Sequence, residues 1–258
     1  MTDLSECYFY QSVDLPVHGL QVGEWDLRDH MDEYLGHIDV DGRRVLELGT
    51  ANGYLCFEME RRGAEVVAYD LDTSDQWDIV PFDGIVPDAV RADRRALIER
   101  LHSAWWLTHR LRESSARIAY GNIYEIPSAL GRFDVVTFGS ILQHVRDPLL
   151  AMQRGAAVAD EAVIVTDVLR SRRTERLARH LQRVPVLGAR LTVAPKMAFV
   201  PDPTTDTPND TWWAISPELI GRVLAVLGFP RQAVTFHSQT YRHPTTRQIP
   251  MFTVVARR

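Results

Sequence analysis

The chain has 258 residues, 45% apolar and 24% charged, with a formal net charge of −5. That is an ordinary globular composition, long enough to bury one sizeable core in a single domain, with room for large insertions. The acidic balance argues against a nucleic-acid partner, although the run from Arg170 to Arg179 is locally basic. Two cysteines, Cys7 and Cys56, are too few for a disulfide framework or a cysteine zinc site. The N-terminus has no apolar run behind a basic start, and no stretch approaches the roughly 18 apolar residues of a membrane span. A cytosolic protein without membrane contact is expected.

Residues 1–40 read as an aromatic-rich N-terminal cap segment, and residues 41–258 as the main domain. The first clear strand is Arg44-Val45-Leu46-Glu47-Leu48-Gly49, an apolar run ended by glycine. A helical pattern follows from Tyr54 to Arg62, then the β-rich Glu65-Val66-Val67-Ala68-Tyr69-Asp70. Strand, helix and strand within about 30 residues mark a βαβ unit. From Leu71 to Ser115 the chain runs about 45 residues before the next strand, far more than such a connection needs. Its second half, Val90 to Leu111, has the spacing of an amphipathic helix bearing Trp105 and Trp106.

Further strands are expected at Arg117–Tyr120, Phe133–Phe138 and Ala162–Thr166, with a helix opened by Asp147-Pro148 and running to Val158. A second insertion covers about Leu169 to Trp213. Ser216-Pro217-Glu218 then starts a helix to Leu227 that Gly228 stops, and strands at Val234–Ser238 and Pro250–Val255 close the chain. This alternation predicts an α/β, Rossmann-like doubly wound, mainly parallel seven-stranded sheet with an antiparallel C-terminal edge. The two insertions, about 71–115 and 169–213, are expected to form a helical lid.

The segment Glu47-Leu48-Gly49-Thr50-Ala51-Asn52-Gly53 joins the first strand to its helix. A dinucleotide site wants G-x-G-x-x-G there, to seat a pyrophosphate on the helix N-terminus. This loop is G-x-x-x-G, with an acid two residues ahead of it. An acid at the mouth repels pyrophosphate and suits a cationic ligand, which favours S-adenosylmethionine (SAM) over NAD(P) and argues against an oxidoreductase. Asp70 ends the second strand 21 residues beyond Gly49, where an acid accepts the hydroxyl protons of a ribose.

Val45-Leu46-Glu47-Leu48-Gly49-Thr50-Ala51-Asn52-Gly53 resembles the first motif of class I SAM-dependent methyltransferases. Tyr120-Gly121-Asn122-Ile123-Tyr124-Glu125-Ile126-Pro127 and Phe133-Asp134-Val135-Val136-Thr137-Phe138-Gly139-Ser140 stand in the places of two later motifs. Within that superfamily the pattern is most similar to the group related to tRNA wobble-uridine (carboxy)methyltransferases. The shared pieces are Trp25-Asp26-Leu27-Arg28, Ile141-Leu142-Gln143-His144-Val145-Arg146-Asp147-Pro148 and Asn209-Asp210-Thr211-Trp212-Trp213.

The resemblance implies that Glu47, Gly49, Thr50 and Gly53 surround the methionine part of SAM. Asp70 would hold the ribose with Leu71 beside the adenine, Asn122 and Ile123 would frame the ring, and Gly139 and Ser140 would line the cleft. Asn122 stands where the family often has aspartate, and its amide oxygen can still accept the adenine amino group. Arg28 is a candidate for a carboxylate of SAM or substrate.

His144, just past the fourth strand, is the candidate general base, because an ordinary pKa near 6.5 makes histidine usable near neutrality. Its plainer alternative is a histidine that packs the cleft. Tyr10, His18 and Trp25 are candidates to close over the substrate, and Trp212 and Trp213 to supply a stacking wall; paired tryptophans before a capped helix are more often core. His102, His109, His180 and His237 show no ligand spacing with cysteines or acids, so no catalytic metal is expected. The sequence thus favours methylation of oxygen or nitrogen on a small-molecule acceptor, such as a specialised metabolite. Its alternatives are tRNA wobble modification and, far behind, an NAD(P) enzyme.

Overall fold

The computed structural model describes residues 3–74, 77–83, 87–170, 194–204 and 210–258. In chain order its strands are β1 (Val13–Leu15), β2 (Gly19–Gln21), β3 (Trp25–Asp26), β4 (Arg44–Leu48), β5 (Glu65–Asp70), β6 (Arg117–Tyr120), β7 (Phe133–Gly139), β8 (Ala159–Val168), β9 (Met197–Phe199), β10 (Trp213–Ile215), β11 (Arg231–Tyr241) and β12 (Arg247–Arg257). The helices are α1 (Met31–Tyr34), α2 (Tyr54–Arg61), α3 (Pro87–Leu111), α4 (Pro148–Val158) and α5 (Pro217–Val226).

The main sheet has eight strands in the order β3-β11-β12-β8-β7-β4-β5-β6. From β8 to β6 the neighbours are parallel; β12 runs antiparallel to β8 and β11, and β3 antiparallel to β11. Seven of these strands are the expected Rossmann-like set. The eighth, β3, is supplied by the N-terminal segment, where Trp25 pairs with Tyr241. The parallel strands read as continuous apolar runs because both faces are covered. Val45, Val66, Val135 and Ile164 point to a core layer with α1, α2 and α3, and Leu46, Val67, Val136 and Val165 to a layer with α4 and α5.

Local chemistry fixes the helix starts. Asp147 accepts the Leu150 N–H at 2.9 Å ahead of Pro148, and Ser216 accepts the Leu219 N–H at 3.3 Å ahead of Pro217. Helix α2 is buried nearly all round, sandwiched between sheet and α3, with the Phe57 and Trp105 rings 5.3 Å apart.

Three expectations change. The first insertion is largely a crossover: α3 puts Ile98, Ala104, Trp105 and Leu107 into the core, so among its described residues only 71–74, 77–83 and 112–115 lie outside that helix. The strands β11 and β12 run well past the expected Val234–Ser238 and Pro250–Val255. Pro250 does not break the ladder: it pairs with Ser238, and its carbonyl accepts the Leu169 N–H. Of the second insertion, residues 171–193 and 205–209 lie outside the described residues; the remainder includes the β9–β10 ribbon, Met197 pairing with Ile215. Among the described residues no helix is long and apolar enough to cross a membrane.

Gly53, at the start of α2, has φ +87°, and a Cβ there would lie 2.5 Å from the Trp105 ring and 2.6 Å from Phe57. Left-handed strain costs about 1–2 kcal/mol and overpacking about 1–3 kcal/mol. Gly53→Ala is therefore expected to lose about 2–5 kcal/mol of stability by these two costs together, read by denaturant unfolding.

Candidate active site

The turn between β4 and α2 is left-handed at three positions, with φ +83° at Gly49, +53° at Ala51 and +87° at Gly53. Side chains from three directions pin it. Thr50 donates its hydroxyl to Glu47 Oε2 at 2.7 Å, Asp70 Oδ2 accepts the Ala51 N–H at 2.7 Å, and Asn52 forms two hydrogen bonds with the Gln11 backbone. The Asn52–Gln11 pair is not foreshadowed by any motif; it ties the N-terminal segment to the turn.

Glu47 is 1% exposed, and its Oε1 has no partner among the described residues. Burial, with a further push from Asp70, raises its pKa to about 8, against the pull of the Thr50 hydroxyl. A buried carboxyl with an idle oxygen, beside a turn whose Thr50 and Asn52 side chains are tied inward, is an arrangement that a cation would complete. Asp70 is likewise raised by burial, an effect countered by the N–H groups of Ala51 and Leu71. The Leu71 carbonyl accepts from His102 Nε2 at 3.1 Å, and the His102 ring lies 4.2 Å from that of Tyr120. His102, on α3, had no sequence signal as a site residue; only the packing of α3 brings it over the end of β5.

Asn122 uses its Oδ1 to accept the Tyr124 N–H at 2.9 Å, and Ile123 packs on the α4–α5 core layer. Gly49 follows β4 and Gly139 ends β7, its neighbour in the sheet. A Cβ at Gly49 would meet Ile141 at 3.1 Å, and one at Gly139 would meet the Tyr34 hydroxyl at 3.2 Å. Ser140 has φ +58°, and its hydroxyl has no partner among the described residues.

His144 ends a short 3-10 turn, Leu142–His144, on this rim. Its Nδ1 lies 2.6 Å from the Asp210 carbonyl. A carbonyl only accepts, so Nδ1 carries the hydrogen and Nε2 is left with a lone pair. Burial lowers the His144 pKa, opposed by Asp210, so the ring is neutral at neutral pH. Asp210 is itself held by Arg94 of α3 at 2.9 Å.

The remaining candidates are placed differently from expectation. Arg28 is not a free cation: its guanidinium grips Asp26 at 2.8 and 2.9 Å and Asp14 at 3.1 Å. The Arg28 fork, helped by Arg242, holds the Asp26 carboxyl far below the usual carboxylate range. His18 is exposed at the tip of the β1–β2 hairpin, which leads away from Gln11 toward Leu111 and Arg61 at the far ends of α3 and α2. Trp212 is a docking residue: it is buried, its indole N–H goes to the Asp78 carbonyl at 2.6 Å, and its ring lies under Arg146. Trp213 donates to the Arg146 carbonyl and packs on Phe199. Trp212 is therefore withdrawn from any stacking role, while Trp213 stays partly exposed. Tyr10 and Trp25 do stay together, the indole N–H donating to the phenol at 3.0 Å, with Tyr241 against Trp25 at 4.8 Å.

Comparison with known proteins places the chain. Residues 26–201 match the family model described as "Methyltransferase domain". Among curated relatives, the ubiquinone biosynthesis O-methyltransferase of Xanthomonas campestris pv. campestris is 29% identical over 131 residues, 50% of this chain and 43% of the relative. That of Azotobacter vinelandii is 34% identical over 112 residues, 43% of this chain and 38% of the relative. The matches thus span less than half the length of these relatives. A SAM-dependent methyltransferase from Methanosarcina mazei shares the fold, with TM-score 0.52 at 13% identity over 86% of this chain and 94% of that one. A tie to the tRNA wobble-uridine group is not among these findings. With the sheet order, the acid-flanked glycine turn and the family match in agreement, the chain belongs to the methyltransferase domain family and has the class I SAM-dependent methyltransferase fold.

Proposed function

We propose that the protein methylates an oxygen or nitrogen of a small-molecule acceptor, with oxygen favoured by the names of its curated relatives. The observation that carries the reading is the pairing of two poised groups on one rim: Glu47, buried with an idle oxygen, and His144, neutral with its Nε2 lone pair free. Glu47 and the glycine-flanked turn Gly49–Gly53 would hold the methionine end of SAM, Thr50 keeping Glu47 in place. Asp70 would hold the ribose, with Leu71, Asn122 and Ile123 beside the adenine, and Gly139 and Ser140 would line the path to the acceptor. The sulfonium of bound SAM supplies an already electrophilic methyl group, so the chain's task is alignment, worth roughly 7–11 kcal/mol. His144 Nε2 takes the proton that the acceptor O–H or N–H gives up, and the Asp210 carbonyl steadies the imidazolium that results. Tyr10 and Trp25, joined by their hydrogen bond, would supply aromatic surface to cover the acceptor.

Modification of tRNA is the second reading, carried by the likeness of Trp25-Asp26-Leu27-Arg28 and its companion segments. The net charge of −5 opposes it. Methyl-labelled SAM incubated with metabolite extracts and, separately, with bulk tRNA decides between them. Label in a small product supports the proposal; label only in tRNA, with affinity falling steeply in salt, supports the second reading.

Glu47 generates a pH prediction. Its folded pKa of about 8 means the ligand-free carboxyl is largely protonated at pH 6 and must ionise to meet a cation. SAM affinity is expected to rise from pH 6 to 7.5, by up to about tenfold per unit, and to lose this dependence in Glu47→Gln, as read by isothermal titration.

Asp70→Ala removes a charged acceptor of hydrogen bonds worth about 1.5–3 kcal/mol each. SAM affinity is expected to fall at least about tenfold in the folded variant.

His144→Ala is expected to slow single-turnover methyl transfer by about 10²–10⁴-fold while SAM affinity and melting temperature stay put. Because burial depresses the His144 pKa, the wild-type rate should hold its plateau to a pH below the ordinary histidine value of 6.5.

A further inference from the structure

Asp167 lies one residue from the upper end of β8 and is 3% exposed. Its Oδ1 accepts the Val168 N–H at 2.7 Å, which turns the carboxyl toward the C-terminal end of the sheet, and its Oδ2 has no partner among the described residues. Strand β8 is two places from β4, on the side away from β5, so Asp167 stands about 10 Å across the sheet from the strand that carries Glu47. The cofactor-side groups Glu47, Asp70 and Asn122 all sit on or beyond β4 in the other direction. The charge that bears on Asp167 is that of Arg170, which follows it in the chain, while the Tyr34 phenol of α1 lies within electrostatic range of both Asp167 and Glu47. Arg170 also bears on His144 and approaches Gln143 Oε1 at 3.5 Å. Asp167 and His144 therefore flank one compartment on the acceptor side of the crevice. From β12, the register partner Phe252 offers no charge.

A buried carboxyl oxygen left unpaired costs stability and fold-building gives it no return, so its use lies with a ligand. We propose that Asp167 is an acceptor-positioning residue: its Oδ2 takes a hydrogen bond from a hydroxyl or amine of the methyl acceptor, selecting acceptors that carry a second donor near the methylated atom. This rests on the methyl-transfer reading above and names the class of substrate. Burial raises the carboxyl to about 7, partly relieved by the Val168 N–H and Arg170, so a donor or cation entering the compartment would restore its charge.

The test compares the full wild-type chain with Asp167→Asn in three measurements: label transfer from methyl-labelled SAM into a metabolite extract, titration with S-adenosylhomocysteine, and thermal melts of the ligand-free protein at pH 5 and pH 8. An Asp with folded pKa of about 7 against 3.8 unfolded binds more protons when folded, so the native state loses stability as pH rises through that window. Asparagine removes the loss. The expected result is label transfer down at least about tenfold, S-adenosylhomocysteine affinity within about twofold, and a melting temperature higher than wild type at pH 8 but little changed at pH 5. Equal label transfer by the variant overturns the inference alone. Loss of S-adenosylhomocysteine binding assigns Asp167 to the cofactor and overturns it, and a lower melting temperature at pH 8 makes the residue structural and overturns it. A wild type that labels nothing sinks the methyl-transfer reading and this inference with it.

Discussion

Everything at the C-terminal end of the sheet depends on the left-handed turn from Gly49 to Gly53. Three residues there adopt φ between +53° and +87°, a region that is costly for L side chains. The turn persists because its neighbours over-determine it: Thr50 on Glu47, the Ala51 N–H on Asp70, and Asn52 on the Gln11 backbone. The same three contacts draw the second strand and the N-terminal segment to the site. Local strain at the turn and long-range assembly of the crevice are thus one structural device.

The electrostatics of the crevice follow from burial more than from pairing. Glu47, Asp70 and Asp167 all lie at the upper ends of sheet strands with their carboxyl pKa values raised by desolvation. Arg28, the nearest obvious counter-charge in sequence terms, is spent on Asp26 and Asp14. Among the described residues the side of the crevice around Glu47 and Asp70 is left short of positive charge, which is the environment a sulfonium ligand compensates and a pyrophosphate would not.

The acceptor side is assembled from distant segments. His144 is oriented by the Asp210 carbonyl, Asp210 by Arg94 on α3, and the ribbon bearing Trp212 and Trp213 by Asp78 and Arg146. Both long connections therefore converge on the short turn after β7. Tryptophans that look like a substrate wall in the sequence are the pegs of this convergence, because an indole N–H buried at a junction needs a carbonyl and finds one there.

The sequence by itself determined the parallel strands, the crossover order and the glycine turn. Short apolar runs ending in Gly or Asp, and capped helices such as Asp147-Pro148 and Ser216-Pro217, carry their own local signals. It also singled out Glu47, Asp70 and His144 as candidates, because their spacing from the strands is set by the backbone. Only the tertiary structure decided the rest. The pairing of Trp25 with Tyr241, the Gln11–Asn52 tie, the engagement of Arg28 and the position of His102 all join residues far apart in the chain, so no period or motif announces them. Asp167 is the clearest case: as a letter near the end of an apolar strand it reads as a simple stop, and only burial with one oxygen unpartnered separates it from an acid that meets water.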